Sequence, residues 1–236
     1  MTAATDARER ELAQRLDALE TRVVAACQAA GRPRDDVTVI AVTKRFPVDD
    51  LDTLVRLGVR DVGENLDQEA SAKAAQMAQR DLVRVHFVGQ LQSNKARHVA
   101  TYADVVHSLD RSRLLTPLSR GAAEHGREVG VLIQVSLDGD PARGGSAPDE
   151  VPRLAQEVAD TEHLRLRGVM AVAPLGADPA AAFARLHEVS QGLRERHPEA
   201  WWISAGMSGD LEAAVAQGAT HLRVGAAILG SRASRR

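Results

Sequence analysis

The 236 residues can fill one good hydrophobic core, as a single α/β barrel or as two small domains, and leave no room for an extra catalytic domain. A hydrophobic share of 44%, a charged share of 26% and a formal net charge of −2 exclude the single-signed field expected of a protein built to grip nucleic acid or an anionic membrane. The lone cysteine, Cys27, forbids an intrachain disulfide, and the charged opening MTAATDARERELAQRL lacks the apolar run of a signal peptide, so a cytoplasmic location is expected.

Taken in chain order, Leu12, Leu16, Leu19, Val23 and Ala26 recur at helical spacing between Asp6 and Ala30, and Gly31 with Pro33 ends that segment. The stretch VTVIAVTKRF, residues 37–46, then reads as a buried strand too short and too β-branched for a helix. Strand patterns follow at 59–63, 83–88, 103–108, 129–137, 164–173, 201–203 and 221–224. Helical patterns lie between them at 48–57, 65–79, 94–101, 111–124, 149–159, 178–196 and 209–217. Eight strands alternating with helices at this length predict an α/β protein with a single (β/α)8 TIM-type barrel and an additional N-terminal helix, one domain over 1–236. The turn-rich segment DGDPARGGSAP, residues 138–148, is expected to be a mobile loop on the site face after the fifth strand.

Lys44 stands at the carboxyl end of the first strand, where parallel α/β folds place their ligands. Its residue type is informative, because the only lysines are Lys44, Lys73 and Lys95 beside 27 arginines. A chain that uses arginine for positive charge and lysine at a strand end points to an amine that can lose its proton and attack a carbonyl. A solvated or ion-paired lysine is the plainer alternative. After the seventh strand comes SAGMSGDLEAA, in which Ser208 is placed to cap the next helix and Gly206 and Gly209 allow close backbone approach. After the eighth strand comes RVGAAILG. Loops after strands seven and eight form the usual phosphate cradle of such barrels, although Gly206, Gly209 and Gly225 also suit ordinary tight turns.

Other polar residues sit at strand ends. Asn65 in GEN can hydrogen-bond a ring substituent, Glu64 can cap the following helix, and His86 within an apolar strand reads as a satisfied core histidine. Lys95 is expected near the rim on a helix N-terminus. Spacings for a metal site and a GxSxG nucleophile elbow are absent from the sequence.

The segments AVTKRFP, GENLDQE, HFVGQLQSNKAR, VHSLDRSRL, LIQVSLDGDPARGG, GMSGDLEAAVAQGATHLRVG and AILG, in this order across nearly the whole chain, resemble the pyridoxal phosphate homeostasis proteins, single-domain relatives of the alanine racemase barrel. The resemblance implies pyridoxal 5′-phosphate (PLP) as cofactor, held as a Schiff base on Lys44. It further implies that Ser208 and the Gly225–Ala226 loop receive the phosphate, that Arg223 faces the pyridine nitrogen, and that Asn65 and Met207 line the pocket; Ser204 and Gly206 belong to the same matched motif. Three positions depart from the family pattern: Val62 where phenylalanine is common, Ser136 where asparagine is common, and Ala226 where a threonine hydroxyl would add a phosphate donor.

A cationic Arg223 opposite the ring nitrogen makes the cofactor a poor electron sink, and the chain lacks the second domain that supplies the opposing base in two-domain racemases. The expected role is therefore a carrier or buffer in vitamin B6 homeostasis, not an enzyme. The implied partners are PLP and PLP-dependent apoenzymes, with neither nucleic acid nor membrane, and the resemblance leans towards a monomer. The alternatives are a PLP-dependent amino-acid racemase with water or His86 as second base, and a Schiff-base aldolase acting on a sugar phosphate.

Overall fold

A computed structural model describes residues 3–230; residues 1–2 and 231–236, the extreme ends of the domain expected over 1–236, lie outside the described residues. The chain opens with helix α1 (Ala3–Ala29) and then alternates β1 (Thr38–Val42), α2 (Val48–Arg56), β2 (Asp61–Glu64), α3 (Asp67–Gln76), β3 (Arg84–Phe87), α4 (Ser93–Tyr102), β4 (Val105–Leu109) and α5 (Leu115–Glu124). It continues through β5 (Val129–Gln134), α6 (Val151–Ala159), β6 (Leu164–Met170), α7 (Pro179–Arg194), β7 (Trp202–Ser204), α8 (Leu211–Ala216), β8 (His221–Val224) and α9 (Ala226–Leu229). The eight strands pair in parallel in chain order, and β8 closes on β1. The predicted closed barrel is the observed one.

Strand boundaries follow from burial. In β1 the run Ile40, Ala41 and Val42 is buried, as expected of a strand covered on both faces. The apolar cluster between strands and helices spans the circumference, from Leu12 and Val23 of α1 to Ile228 and Leu229 of α9. A smaller buried cluster, Val105, Leu132, Met170 and Trp202, unites β4 to β7, with Trp202 stacked on His221 at 4.0 Å between ring centroids.

Helix α1 buries Leu12, Leu19, Val23, Ala26 and Cys27 and half-buries Leu16, the spacing read from the sequence. Its arginines tie it to the end of the barrel that carries the last two helices. Arg8 donates to the Leu229 carbonyl and to Asp50, Arg22 to the Ser208 carbonyl and Glu212, and Arg32, just beyond the helix, to the Val215 and Ala219 carbonyls. Helix α1 thus buttresses the loop after β7 from behind.

The 138–148 loop, expected to be mobile, is tied down at several points. Arg143 donates to the carbonyls of Val172 and Ala173 and pairs with Asp138, Gln134 donates to the Arg143 carbonyl, and Ser146 bridges to Val135. The loop therefore leans against the end of β6. Among the described residues no helix is long and apolar enough to cross a membrane, and no cluster of His, Cys, Asp or Glu could hold a metal ion.

Candidate functional site

The residues that the resemblance assigns to the cofactor pocket lie at or just beyond the carboxyl ends of four neighbouring strands of the closed sheet, β7, β8, β1 and β2, whereas His86 lies on β3 and Lys95 on α4. The pairing registers align them. Ala41 is opposite Val224, so Lys44 and the Gly225–Ala226 turn leave adjacent strands side by side. Val42 is opposite Gly63, so Lys44 and Asn65 each lie two residues beyond a matched pair. A Cβ built on Gly225 would stand 3.1 Å from the Val42 carbonyl oxygen, so a side chain there would crowd the base of the Lys44 turn. A cleft of about 540 Å³ lined by Asn65, Glu69, Phe87, Gln90 and Lys95 adjoins this arc on the β2–β3 side.

Lys44 lies in a turn beyond β1 and is half-buried, and Arg45 after it is exposed with φ of 65°. A left-handed conformation is uncommon for a residue with a side chain and must be held by its surroundings. The hold comes from α3 and the end of β2. Glu69 accepts the Arg45 backbone N–H. Lys73, only 7% exposed, donates to the Thr43 carbonyl, Glu64 Oε1 and Glu69 Oε1, each at 2.7 Å. Thr43 Oγ1 donates to the same Glu64 oxygen at 2.5 Å. Residues 43 and 45 on either side of Lys44 are thus pinned by one buried cluster. Burial pushes the Glu64 carboxyl up, outweighing its bonds from Lys73 and Thr43.

This cluster corrects the helix-cap alternative for Glu64, whose carboxylate turns inward instead of capping α3. It also contains a residue that sequence reasoning missed. Lys73 sits among alanines in a helix, and its only signal was the scarcity of lysine.

Beyond β7, Gly206 takes φ of 90°, and a Cβ there would stand 2.6 Å from Ala214 Cβ; glycine lets the chain turn over the start of α8. Met207 is exposed, and its backbone N–H is taken by Asp210 Oδ1 at 2.6 Å. Ser208 was expected to cap the helix after it. Instead α8 begins after Asp210, and Ser208 Oγ accepts the Ala227 N–H at 3.3 Å. The hydroxyl therefore stitches the loop after β7 to the turn after β8, bringing the two stretches of backbone together beside Lys44.

Arg223 is 6% exposed and projects from β8 to the level of the β6 and β7 ends. Its Nη1 donates to Ser204 Oγ at 2.6 Å and its Nη2 to the Ala171 carbonyl at 2.8 Å. Burial pulls its pKa down to about 10, with Asp210 the opposing charge, so the group remains a cation at neutral pH. Ser204 is linked in turn to His107 Nδ1 at 2.9 Å, His107 Nε2 to His86 Nδ1 at 2.8 Å, and His86 Nε2 to Asp61 Oδ1 at 2.9 Å. His86 is fully buried, as a satisfied core histidine should be. Both its nitrogens are engaged, Nδ1 by His107 and Nε2 by Asp61.

Lys95, at the start of α4, is 3.7 Å from Asp67. Tyr102, the only tyrosine, lies on α4 with its hydroxyl 3.2 Å from Asp67.

Residues 14–233 match the family described as alanine racemase, N-terminal domain. Over 95% of this chain and 94% of the relative, the sequence is 44% identical to the pyridoxal phosphate homeostasis protein of Mycobacterium tuberculosis. The Escherichia coli protein of the same name is 34% identical over 94% of this chain and 97% of its own. Among solved structures, PipY of Synechococcus elongatus with PLP bound superposes with a TM-score of 0.78 at 35% identity, covering 93% of this chain and all of the PipY chain. Alanine racemase from Streptomyces coelicolor shares the fold at a TM-score of 0.70 and 20% identity, and this chain spans only 58% of it.

Proposed function

For a chain that belongs to the pyridoxal phosphate homeostasis proteins, we propose a cytoplasmic, monomeric carrier or buffer that binds PLP covalently at Lys44 and takes part in vitamin B6 homeostasis. The observation that carries this reading is the contiguous arc itself: an amine, a stitched pair of backbone turns and a buried guanidinium on adjacent strand ends. Its donor set fits the three reactive ends of PLP. Lys44 would take the aldehyde. The Ser208 loop and the Gly225–Ala226 turn would hold the phosphate with backbone N–H groups, and Gly225 leaves the approach to Val42 uncrowded. Arg223, a donor at every nitrogen, would face the ring nitrogen and favour its unprotonated form. Asn65, Ser204, Gly206 and Met207 would complete the wall.

Bound PLP supplies reversible covalent capture of amines, and the protein decides how far beyond capture the chemistry goes. A guanidinium facing the ring nitrogen opposes its protonation and so weakens stabilisation of a carbanion. The side chains weighed as a second base are engaged elsewhere, His86 by Asp61 and His107, and Tyr102 by Asp67. The pinned backbone of Thr43 and Arg45 fixes where the Lys44 amine leaves the strand. Delivery to PLP-dependent apoenzymes follows as the role of such a store.

The test uses the purified full chain with PLP. Wild type should turn yellow, borohydride should bleach it and fix the cofactor on Lys44, and Lys44→Ala should stay colourless. An unmodified Lys44 in the wild type would sink the site. In deuterium oxide, L-amino acids should shift the spectrum without sustained exchange at Cα; steady exchange would instead establish an enzyme.

A further inference from the structure

We infer that Asp61, His86, His107 and Ser204 form a one-way hydrogen-bond chain through the barrel interior that positions Arg223 as a fixed donor toward the mouth. The chain starts at Asp61, the first residue of β2, and passes through the middle of β3 and β4 to Ser204 at the end of β7. It therefore runs from the barrel floor to the strand ends where Lys44 emerges. Its four contacts lie between 2.6 and 2.9 Å.

The direction is forced by the chemistry of the ends. Burial is the largest influence on the Asp61 carboxyl and raises it, but the hydrogen bond from His86 and the positive charge around it, Arg84 included, together hold it below its ordinary value, so Asp61 only accepts. His86 Nε2 must then carry the hydrogen. Burial lowers both imidazoles, His107 well below its ordinary value, so each holds a single ring hydrogen. His86 Nδ1 is thus bare and accepts from His107 Nε2–H. That leaves His107 Nδ1 bare, and Ser204 must give it the hydroxyl hydrogen. The Ser204 oxygen in turn accepts from Arg223 Nη1. Every donor in the series faces the floor and every acceptor the mouth, and no other assignment satisfies all four contacts with neutral rings and a charged Asp61. The surroundings agree with it: Arg84 pairs with Asp61 at 3.2 Å, and His221, stacked on Trp202, is pushed down to about 3 by burial and adds no charge.

Two of the five guanidinium hydrogens are committed, to Ser204 and Ala171, which fixes the plane of Arg223 and leaves Nε and the outer hydrogens for an acceptor at the mouth. Asp61, His86 and His107 are positioning residues acting through Ser204. What they do for the cofactor rests on the reading above, whereas the proton arrangement does not.

The experiment therefore has two parts. In 15N-labelled protein without PLP at neutral pH, long-range proton–nitrogen correlation should show His86 and His107 as Nε2–H tautomers, with a coupling across the hydrogen bond from His107 Nε2 to His86 Nδ1. An Nδ1–H or doubly protonated ring at either position overturns the chain. With 15N-ring-labelled PLP, Ser204→Ala should still be modified at Lys44, but its ring-nitrogen resonance should move toward that of the free pyridine and affinity should fall about tenfold, one charged hydrogen bond's worth. Ser204→Thr should restore both. An unchanged resonance in Ser204→Ala overturns the positioning role. Failure of wild type to take up PLP would refute the cofactor reading alone, because the tautomers decide the chain independently.

Discussion

Replacing Lys73 by methionine isolates the cluster that pins the Lys44 turn. The substitution nearly conserves volume, so its effect is electrostatic. Lys73 spends all three of its hydrogens on Thr43, Glu64 and Glu69, and Glu64 is only 2% exposed, with one carboxylate oxygen lacking a protein partner. Removing one member of a buried pair costs about 3–5 kcal/mol when the other must stay charged. Glu64 has an escape, since it can take up a proton. From an ordinary glutamate value near 4.3, neutralising it costs about 4 kcal/mol at pH 7 and about 1 kcal/mol at pH 5. Its carboxyl is already raised by burial in the wild type, so part of that penalty is present before the substitution. The expected loss is about 3 kcal/mol at pH 7 and about 1 kcal/mol at pH 5.

The sign follows from linkage. A folded-state carboxyl raised above its unfolded value contributes stability below the unfolded pKa and loses it as pH rises through the folded pKa. Lys73→Met raises Glu64 further, so the gap from wild type must widen between acid and neutral pH. Urea titrations at the two pH values measure it, and Lys73→Met/Glu64→Gln should recover most of the loss in a double-mutant cycle. Equal losses at pH 5 and 7, or no recovery with glutamine, would refute the account. Because Glu69 also holds the Arg45 N–H, the single variant should release PLP faster than wild type.

Gly206→Ala should destabilise by about 2–4 kcal/mol in the same titration, since it combines a left-handed backbone with a methyl group 2.6 Å from Ala214 Cβ, which has no rotamer to yield. Ala226→Thr should strengthen PLP retention about fivefold in equilibrium dialysis, by adding a hydroxyl donor at the turn proposed to receive the phosphate. Arg22→Ala should change global stability by no more than about 1 kcal/mol, because its Glu212 partner is solvent-exposed, yet it should weaken phosphate retention by freeing the Ser208 carbonyl; differential scanning calorimetry and PLP titration separate the two effects.

The barrel was legible because parallel strands covered on both faces leave runs such as TVIAV that helical periodicity does not produce, and the count of such runs limits the topology. Lys44, Asn65 and the 204–208 and 223–226 segments were legible as strand ends, because position relative to a strand is local information. Ser208 shows the limit. A serine ahead of a helical pattern reads as a cap, and only the approach of the β8 turn, distant in sequence, gives its hydroxyl the Ala227 N–H instead. Glu64 was misread for the same reason, because its partners Thr43 and Lys73 lie on other elements.

The buried polar residues carry this lesson furthest. Asp61, His86, His107 and Ser204 each look like an isolated polar residue within or beside an apolar strand, and each alone is an expensive group to bury. Closure of the sheet converts four separate liabilities into one satisfied series, with the cost of Asp61 met by His86 and Arg84, and that of Arg223 by Ser204 and the Ala171 carbonyl. A chain with a charge at each end and neutral rings between them has one proton arrangement, so barrel closure fixes both the fold's interior and the orientation of the guanidinium at the strand ends. Stability and ligand chemistry in this protein are therefore coupled through the barrel axis, and substitutions on the floor should be felt at the strand ends.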